Sequence, residues 1–544
     1  MNPERHPWNR FSTSIFVVIF LLAIFLRLSL LFTSQSHADA DEAVIGIMAK
    51  HIQSHHERPF FFHGQAYNGG AAVEAYLASF LFSVLEPSSI TLKCVAWALS
   101  SLMLLFFMKF ANHHLSFPGA LISVLLFACA IPLLKWNLKA RGGYLEILLL
   151  SIYLSDITLR ACQKGQWSLD TAALSGLVAG FAYYCLEIVL PLILICILCS
   201  FLLLHPRSLR RFSAVFITCL CLGSFPLILF NLKTNLANLA TVYANPIRES
   251  TSRRPSHLLL VLVHDLPRLF SPENTSLFPD QATLSGWMLT IFFALILLGI
   301  AWQVAYRFTK SSSFEWKHRI REQLLPLYVL SVFFAYLCLQ AFFSRRDGAR
   351  TLLICVPFLY LGAGFLFDVV WHNTKRAGRT AFISVIFAIV SFQAGVYMAY
   401  LFRPPQVVDV DLAQNGKPQI FFSSPEDLNQ AIKILQDSGI RHVYANHFLK
   451  FRLLFESDGN ILASSKDSWP PGCHFPYYED QVERVSPYGY VFHRGSWSEK
   501  NFFTYAKRKG LSLQMAIAGE LSVITRVSED VRTRPWRTDR DKKE

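Results

Sequence analysis

The chain has 544 residues, 53% of them hydrophobic and 16% charged, with a formal net charge of +14. Ordinary soluble proteins carry about 25% charged residues, so this composition excludes a soluble globular enzyme and points to a membrane protein. Nucleic-acid binding needs a clustered basic patch on a soluble surface, and none is present, because most of the basic excess lies in the first 402 residues, among short loops between apolar runs.

Apolar runs long enough to cross a bilayer core of about 30 Å begin at once. The first, 13–33, follows a basic start (Arg5, Arg10) and lacks a small-residue cleavage site, so it is expected to remain as an anchor. Ten more are predicted at 90–110, 116–134, 143–160, 171–186, 188–204, 212–231, 285–305, 324–343, 351–371 and 379–402, which makes eleven spans. The stretch 71–87 is apolar but short, carries Glu74 near its start and ends at Pro87. It reads as an interfacial or dipping helix, since counting it as a span would turn the basic loops outward. Those loops carry Arg160 and Lys164; Arg207, Arg210 and Arg211; Arg307, Lys310, Lys317, Arg319 and Arg321; and Lys375, Arg376 and Arg379. The positive-inside rule places them in the cytoplasm. The loop 34–70, the segment 135–146, the loop 232–284, the turn 344–350 and everything after 402 then face outward.

After the Arg403-Pro404-Pro405 break, residues 403–544 read as a small α/β domain. PQIFFS is a predicted strand. Ser424 and Pro425 open a helix that Gly439 stops. RHVYANHFLKFRLLFES reads as one or two strands, YGYVFHR as another, SEKNFFTYAKRKG as a helix and SVITRVS as a closing strand. Nothing in this unit has the pattern of a phosphate loop, a metal-ligand set or a nucleophile elbow, so recognition or support is its expected role. Ten of the eleven cysteines lie in or beside spans, and Cys473 stands alone in the outer unit, where it cannot form an internal disulfide. That favours a bacterial inner membrane. Cys196 and Cys199, mid-span, read as small core hydrophobes.

Chemistry-bearing residues collect in three outer segments. The first holds Asp41-Glu42, followed by Val44, Ile45, Met48 and Ile52 at the spacing of one helix face. A helix lying on the membrane surface would have Asp41 at its N-terminus, where the macrodipole favours an ionised carboxylate. That is the form needed by a general base or by the ligand of a divalent cation, although Asp39 or Asp41 can equally serve as a simple cap. Farther on, PFFFHGQAYNGG presents His63, Gln65, Tyr67 and Asn68 amid aromatics and glycines, a mixture suited to a sugar and equally to a plain turn. The second segment places Arg141 and Glu146 around a Gly-Gly hinge, able to orient an acceptor, to steady the first carboxylate or to form a local ion pair. The third carries Arg345, Arg346 and Arg350 against the positive-inside bias. Guanidinium binds phosphate bidentately, whether of a lipid-linked substrate or of ordinary headgroups. Arg27, near the outer end of the first span, can snorkel to the same layer.

On these residues the chain resembles the polytopic glycosyltransferases of the GT-C superfamily, in particular the family 39-like group that includes protein O-mannosyltransferases and the lipid A aminoarabinose transferase. The pattern is an acidic pair soon after span one, a membrane-surface loop helix, an Arg-then-acid segment about a hundred residues later, and an Arg before a Pro-containing span near the end. Asp41-Glu42, Arg141 with Glu146, and Arg350 with Pro357 match it in order and spacing over roughly residues 13–402. The resemblance implies a membrane enzyme that takes a sugar from a polyprenyl-phosphate donor on the periplasmic face. Asp41 would deprotonate or orient the hydroxyl of a lipid, glycan or protein acceptor, with inversion, and basic outer residues would hold the leaving phosphate. A divalent cation, if one takes part, would sit at Asp41. One departure is that some relatives carry a Lys-Pro element where this chain has Gly64-Gln65-Ala66-Tyr67. The competing readings are a lipid-linked saccharide flippase, which would place ionisable groups inside spans, and a non-catalytic envelope assembly protein.

Overall fold

A computed structural model describes residues 10–244, 256–271, 283–310, 316–343, 348–412, 418–465, 475–529 and 531. The chain opens with α1 (Arg10–Phe32), α2 (Ala40–Ser54), α3 (Gly69–Phe82), α4 (Ser89–His114) and α5 (Phe117–Ala128). It continues through α6 (Tyr144–Lys164), α7 (Leu169–Cys185), α8 (Leu190–Leu203), α9 (Pro206–Gly223) and α10 (Phe225–Lys233). Four long helices complete the bundle: α11 (Leu284–Lys310), α12 (Leu324–Phe343), α13 (Cys355–Asn373) and α14 (Arg376–Leu401).

Each predicted span coincides with a helix, but they are not alike. Among the described residues, six helices (α1, α4, α11, α12, α13, α14) are long and apolar enough to cross a membrane. The count rises to eight if two bent pairs each form one span: α5 with the turns at 131–138, bent by 42°, and α9 with α10, bent by 63°. The helices of the remaining three predicted spans, α6, α7 and α8, do not meet that test: α6 is interrupted by charges, and α7 and α8 are short. Close helix approach through small residues holds α7 against α9. A Cβ on Gly180 would lie 2.1 Å from the Leu220 carbonyl oxygen, and one on Gly176 2.3 Å from that of Phe216.

Beyond α14 the chain forms an antiparallel pair, β1 (Val407–Leu412) with β2 (Pro418–Ser423). A mixed five-stranded sheet follows in the order β4-β3-β5-β7-β6, built from β3 (His442–Ala445), β4 (Leu462–Ser464), β5 (Tyr488–His493), β6 (Leu513–Ala518) and β7 (Leu521–Val527). β3 is parallel to both β4 and β5, whereas β5, β7 and β6 run antiparallel. Its helices are α15 (Pro425–Asp437), α16 (His447–Glu456), α17 (Pro476–Arg484) and α18 (Trp497–Lys509). Ser424 caps α15 in a capping box with Asp427, and Gly439 ends it at a positive φ of 70°, as the sequence predicts.

The stretch 441–457 is a correction. Only His442–Ala445 is strand; Asn446 then accepts the Leu449 N–H and starts α16. This helix hides its period because every residue from His447 to Phe455 is buried. Leu449 and Leu453 join the core under the five-stranded sheet, while Phe451, Leu454 and Phe455 join the core of the helical bundle. α2 is likewise not a helix lying open on a membrane surface, for it is enclosed by α3 and α16. Gly46 abuts the Phe455 ring, where a Cβ would approach to 2.4 Å. Lys50 ties the two helices further, donating to the Phe455 carbonyl at 3.0 Å and to Asp458 at 2.7 Å. Cys473 lies outside the described residues, and the other ten cysteines are unbridged.

Candidate active site

The sequence Asp39-Ala40-Asp41-Glu42 divides three carboxylates among three jobs. Asp39 is the N-cap of α2: its side chain accepts the Glu42 N–H at 3.0 Å, and Glu42 Oε2 accepts the Asp39 N–H at 3.0 Å. Capping therefore belongs to Asp39, and Asp41 is left in the first turn with its side chain 28% exposed.

Opposite them runs the segment 139–142, whose groups alternate in contact with this loop. The Lys139 ammonium pairs with Asp39, the Ala140 N–H donates to Glu42 Oε1 at 2.9 Å, the Arg141 guanidinium pairs with Asp41 Oδ2, and the Gly142 N–H donates to Glu74 at 2.7 Å. The Gly-Gly hinge is required by close approach. Gly142 and Gly143 have φ of 71° and 81°, and a Cβ on Gly70 would stand 2.1 Å from Gly143 Cα.

Glu42 is 2% exposed and receives four hydrogen bonds: from the Lys93 ammonium at 2.6 and 2.8 Å, from Ala140 and from Asp39. A carboxylate offers about four acceptor positions, so Glu42 is saturated. Burial pushes its carboxyl upward, against the pull of Lys93. Burial also acts upward on Asp39, but Lys139 and Arg141 outweigh it and hold that carboxyl well below the usual carboxylate range.

These groups line a cavity of about 530 Å³. Its acids are Asp39, Asp41 and Glu42, and its cations are Lys93, Lys135, Lys139, Arg141 and Arg403. The wall beyond is made by Tyr400 at the end of α14 and by Val408, Val410, Ile420 and Phe422 of β1 and β2. The first loop, the segment before α6 and the chain after α14 thus meet at one cavity. Among the described residues no group of three or more His, Cys, Asp or Glu is arranged to hold a metal ion. Each cavity carboxylate already has a side-chain cation, which on Asp41 engages one oxygen.

Other predicted residues are placed elsewhere. Arg141 pairs with Asp41 and not with Glu146. Glu146 does not line the cavity; it is buried, and neither carboxylate oxygen has a hydrogen-bond partner among the described residues. His63, Gln65, Tyr67 and Asn68 form the turns before α3 and do not line the cavity either; the His63 ring lies tilted by 30° against Phe475, with centroids 4.2 Å apart. Arg350 is buried in the short helix Gly348–Thr351, away from the cavity lining. Arg345 and Arg346 lie outside the described residues. Arg27 does not snorkel: it is buried and donates to the Ser100 carbonyl at 2.9 Å.

Sequence reasoning missed Asp39 as the sole cap, and it missed Lys93, Lys135, Lys139 and Arg403 altogether. One signal was available: KWNLKAR places three cations in a segment predicted to face outward, against the positive-inside bias, as the arginines of 344–350 do.

No protein-family model and no curated protein sequence matches the chain. Solved structures do. It is similar to ArnT from Cupriavidus metallidurans bound to undecaprenyl phosphate, with TM-score 0.55 and 13% identity over 94% of this chain and 97% of that one. It is also similar to arabinofuranosyltransferase AftD from Mycobacteria (TM-score 0.52, 12% identity), covering 96% of this chain and 42% of that one. A third is the archaeal oligosaccharyltransferase AglB from Archaeoglobus fulgidus, in complex with an inhibitory peptide and a dolichol-phosphate, with TM-score 0.50 and 11% identity over 89% and 70%. At such identities the likeness establishes the fold alone, the one these three structures share.

Proposed function

We propose that this integral membrane protein is a glycosyltransferase that moves a sugar from a polyprenyl-phosphate donor to a hydroxyl of a lipid, glycan or protein acceptor. The observation that carries the reading is Asp41 in its cavity. It is a carboxylate held on one oxygen by Arg141, beside a saturated Glu42, in a space of about 530 Å³ walled by five cations. Asp41 accepts the proton of the acceptor hydroxyl as that oxygen attacks the anomeric carbon. The anomeric carbon–oxygen bond breaks on the opposite face, its electron pair leaves on the lipid phosphate, and the configuration inverts. The cations of the wall stabilise the charge gathering on that phosphate. Arg141 holds the Asp41 carboxylate in one orientation, the kind of positioning that makes attack effectively unimolecular.

The GT-C fold supports this reading, as do neighbours whose structures contain undecaprenyl phosphate or dolichol-phosphate. We assign residues 1–402 to an eleven-span catalytic domain and residues 403–544 to an α/β domain that closes the cavity, both with their functional surfaces on the periplasmic face of a bacterial inner membrane. The test is transfer from polyprenyl-phosphate sugars by purified protein. A lipid extract of a deletion strain identifies donor and acceptor, because the unused donor accumulates. Loss of lipid movement across vesicles without loss of any glycosyl bond would favour a flippase instead.

A further inference from the structure

The segment 139–142 meets four carboxylates, and three of them are matched with cations: Asp39 with Lys139, Asp41 with Arg141 and Glu42 with Lys93. Glu74 is the exception. It comes from α3, is 1% exposed, does not line the cavity and forms no ion pair among the described residues. Its one hydrogen bond there comes from the Gly142 N–H, at 2.7 Å. Burying an acid without a cation is costly, so Glu74 calls for a specific use, and that N–H is the group it engages.

The packing of α3 brings the two together. Gly70, Ala71 and Glu74 fall at i, i+1 and i+4 and so share one helix face. That face lies on the Gly-Gly hinge: a Cβ on Gly70 would stand 2.1 Å from Gly143 Cα, and one on Gly142 2.5 Å from Ala71 Cα. One turn farther along, Glu74 reaches the hinge amide. Both hinge glycines have positive φ, and neither has a side chain with which to hold its own backbone. The Gly142 N–H belongs to the peptide unit that follows Arg141 Cα, so anchoring it fixes the direction in which the Arg141 side chain leaves the chain. On the other side, the Ala140 N–H is held by Glu42 at 2.9 Å. Arg141, whose guanidinium pairs with Asp41, thus stands between two amides that buried carboxyl groups hold.

We propose that Glu74 is a positioning residue for glycosyl transfer: by accepting the Gly142 N–H it fixes the hinge, aims the Arg141 guanidinium at Asp41 and so sets the orientation of the base. This rests on the glycosyl-transfer reading, in which Asp41 is held in one direction. Glu74 itself touches no substrate, and it acts through the reach of its acceptor oxygen, not through its charge.

The test is sugar transfer from a polyprenyl-phosphate donor by the purified full-length protein, with hydrogen exchange of residues 139–143 followed by mass spectrometry. Glu74→Gln keeps the length and an acceptor oxygen and loses the charge, so turnover and exchange should stay close to wild type. Glu74→Asp keeps the charge and, one methylene shorter, withdraws the acceptor. Its turnover should fall by about 100-fold, the effect of misplacing a reacting group by about 1 Å, with donor and acceptor KM little changed. Exchange of the segment should quicken in the same variant. Added to Arg141→Gln, Glu74→Asp should cause little further loss, because both changes remove one alignment. Ser123→Ala controls for lost stability alone: it deletes a buried hydrogen bond to the Tyr360 carbonyl, 3.0 Å long and outside the cavity lining, and should leave exchange at 139–143 unaltered. If Glu74→Asp does not fold, Glu74→Met, of similar length and without an acceptor oxygen, takes its place. An inactive but folded Glu74→Gln would make charge the essential property and overturn the proposal. So would wild-type turnover in Glu74→Asp, or losses that add in full with Arg141→Gln. Wild-type protein that transfers no sugar would overturn the glycosyltransferase reading and the positioning role with it, whereas an active wild type indifferent to residue 74 would overturn the role alone.

Discussion

Removing the charge of Glu42 is expected to unfold the site without touching its chemistry. In Glu42→Gln the amide keeps the size and one good acceptor for the Ala140 or Asp39 N–H, but the Lys93 ammonium, 4% exposed, loses its counter-ion. It then retains the Leu138 carbonyl at 3.2 Å and a neutral amide oxygen. Stranding one partner of a buried pair costs about 3–5 kcal/mol, whereas replacing both by neutral groups is often close to neutral. The double variant Glu42→Gln/Lys93→Met should therefore recover at least half of the loss, and the double-mutant cycle should show strong coupling. Unfolding of the purified protein by titration with a denaturing detergent, followed by tryptophan fluorescence, gives all four stabilities. Transfer activity of the double variant completes the experiment, since a saturated carboxylate has no acceptor position for a substrate. A Glu42→Gln protein as stable as wild type would refute the buried clamp. A stable but inactive double variant would return Glu42 to the catalytic set.

Asp41→Asn, which keeps shape and loses the proton acceptor, should lower turnover by a factor of about 100 to 10,000 in a folded protein; near-normal transfer would remove Asp41 as base. Gly70→Ala should destabilise the site sharply, because its Cβ would fall 2.1 Å from Gly143 Cα, and a melting profile unchanged from wild type would contradict that packing. Asp39 offers a pH test. Its folded carboxyl is held low by Lys139 and Arg141, so its contribution is full above the unfolded value of about 3.9 and fades as pH falls below it. The stability gap between wild type and Asp39→Asn should be constant from pH 5 to pH 7 and shrink below about pH 4, and a gap that widens on acidification would reverse the assignment. In a cysteine-depleted background, a probe at the exposed Asn460 should be labelled from outside intact cells and one at the exposed Gln166 should not; labelling of Gln166 alone would invert the topology.

How much of this was legible in the sequence follows from how local each signal is. The apolar runs, the Ser424 cap and the Gly439 stop are encoded within a few residues, and each stands where the sequence places it. α16 was misread because a helix buried on both faces has no polar stripe, and its run of Phe and Leu imitates a strand. In the candidate site, the sequence singled out Asp41, Glu42 and Arg141 but left open whether the Arg141–Glu146 segment forms a local ion pair or steadies the first carboxylate; Arg141 pairs with Asp41, a hundred residues away. Ion pairs between distant segments leave no periodic trace. Nor does saturation: nothing in the dipeptide Asp41-Glu42 says that one carboxylate is filled by four donors and the other by one arginine. That distinction arises only where Lys93, the 139–142 backbone and the α2 cap converge. The asymmetry between neighbouring acids is thus a tertiary property, and it is the ground on which we propose Asp41, and not Glu42, as the base.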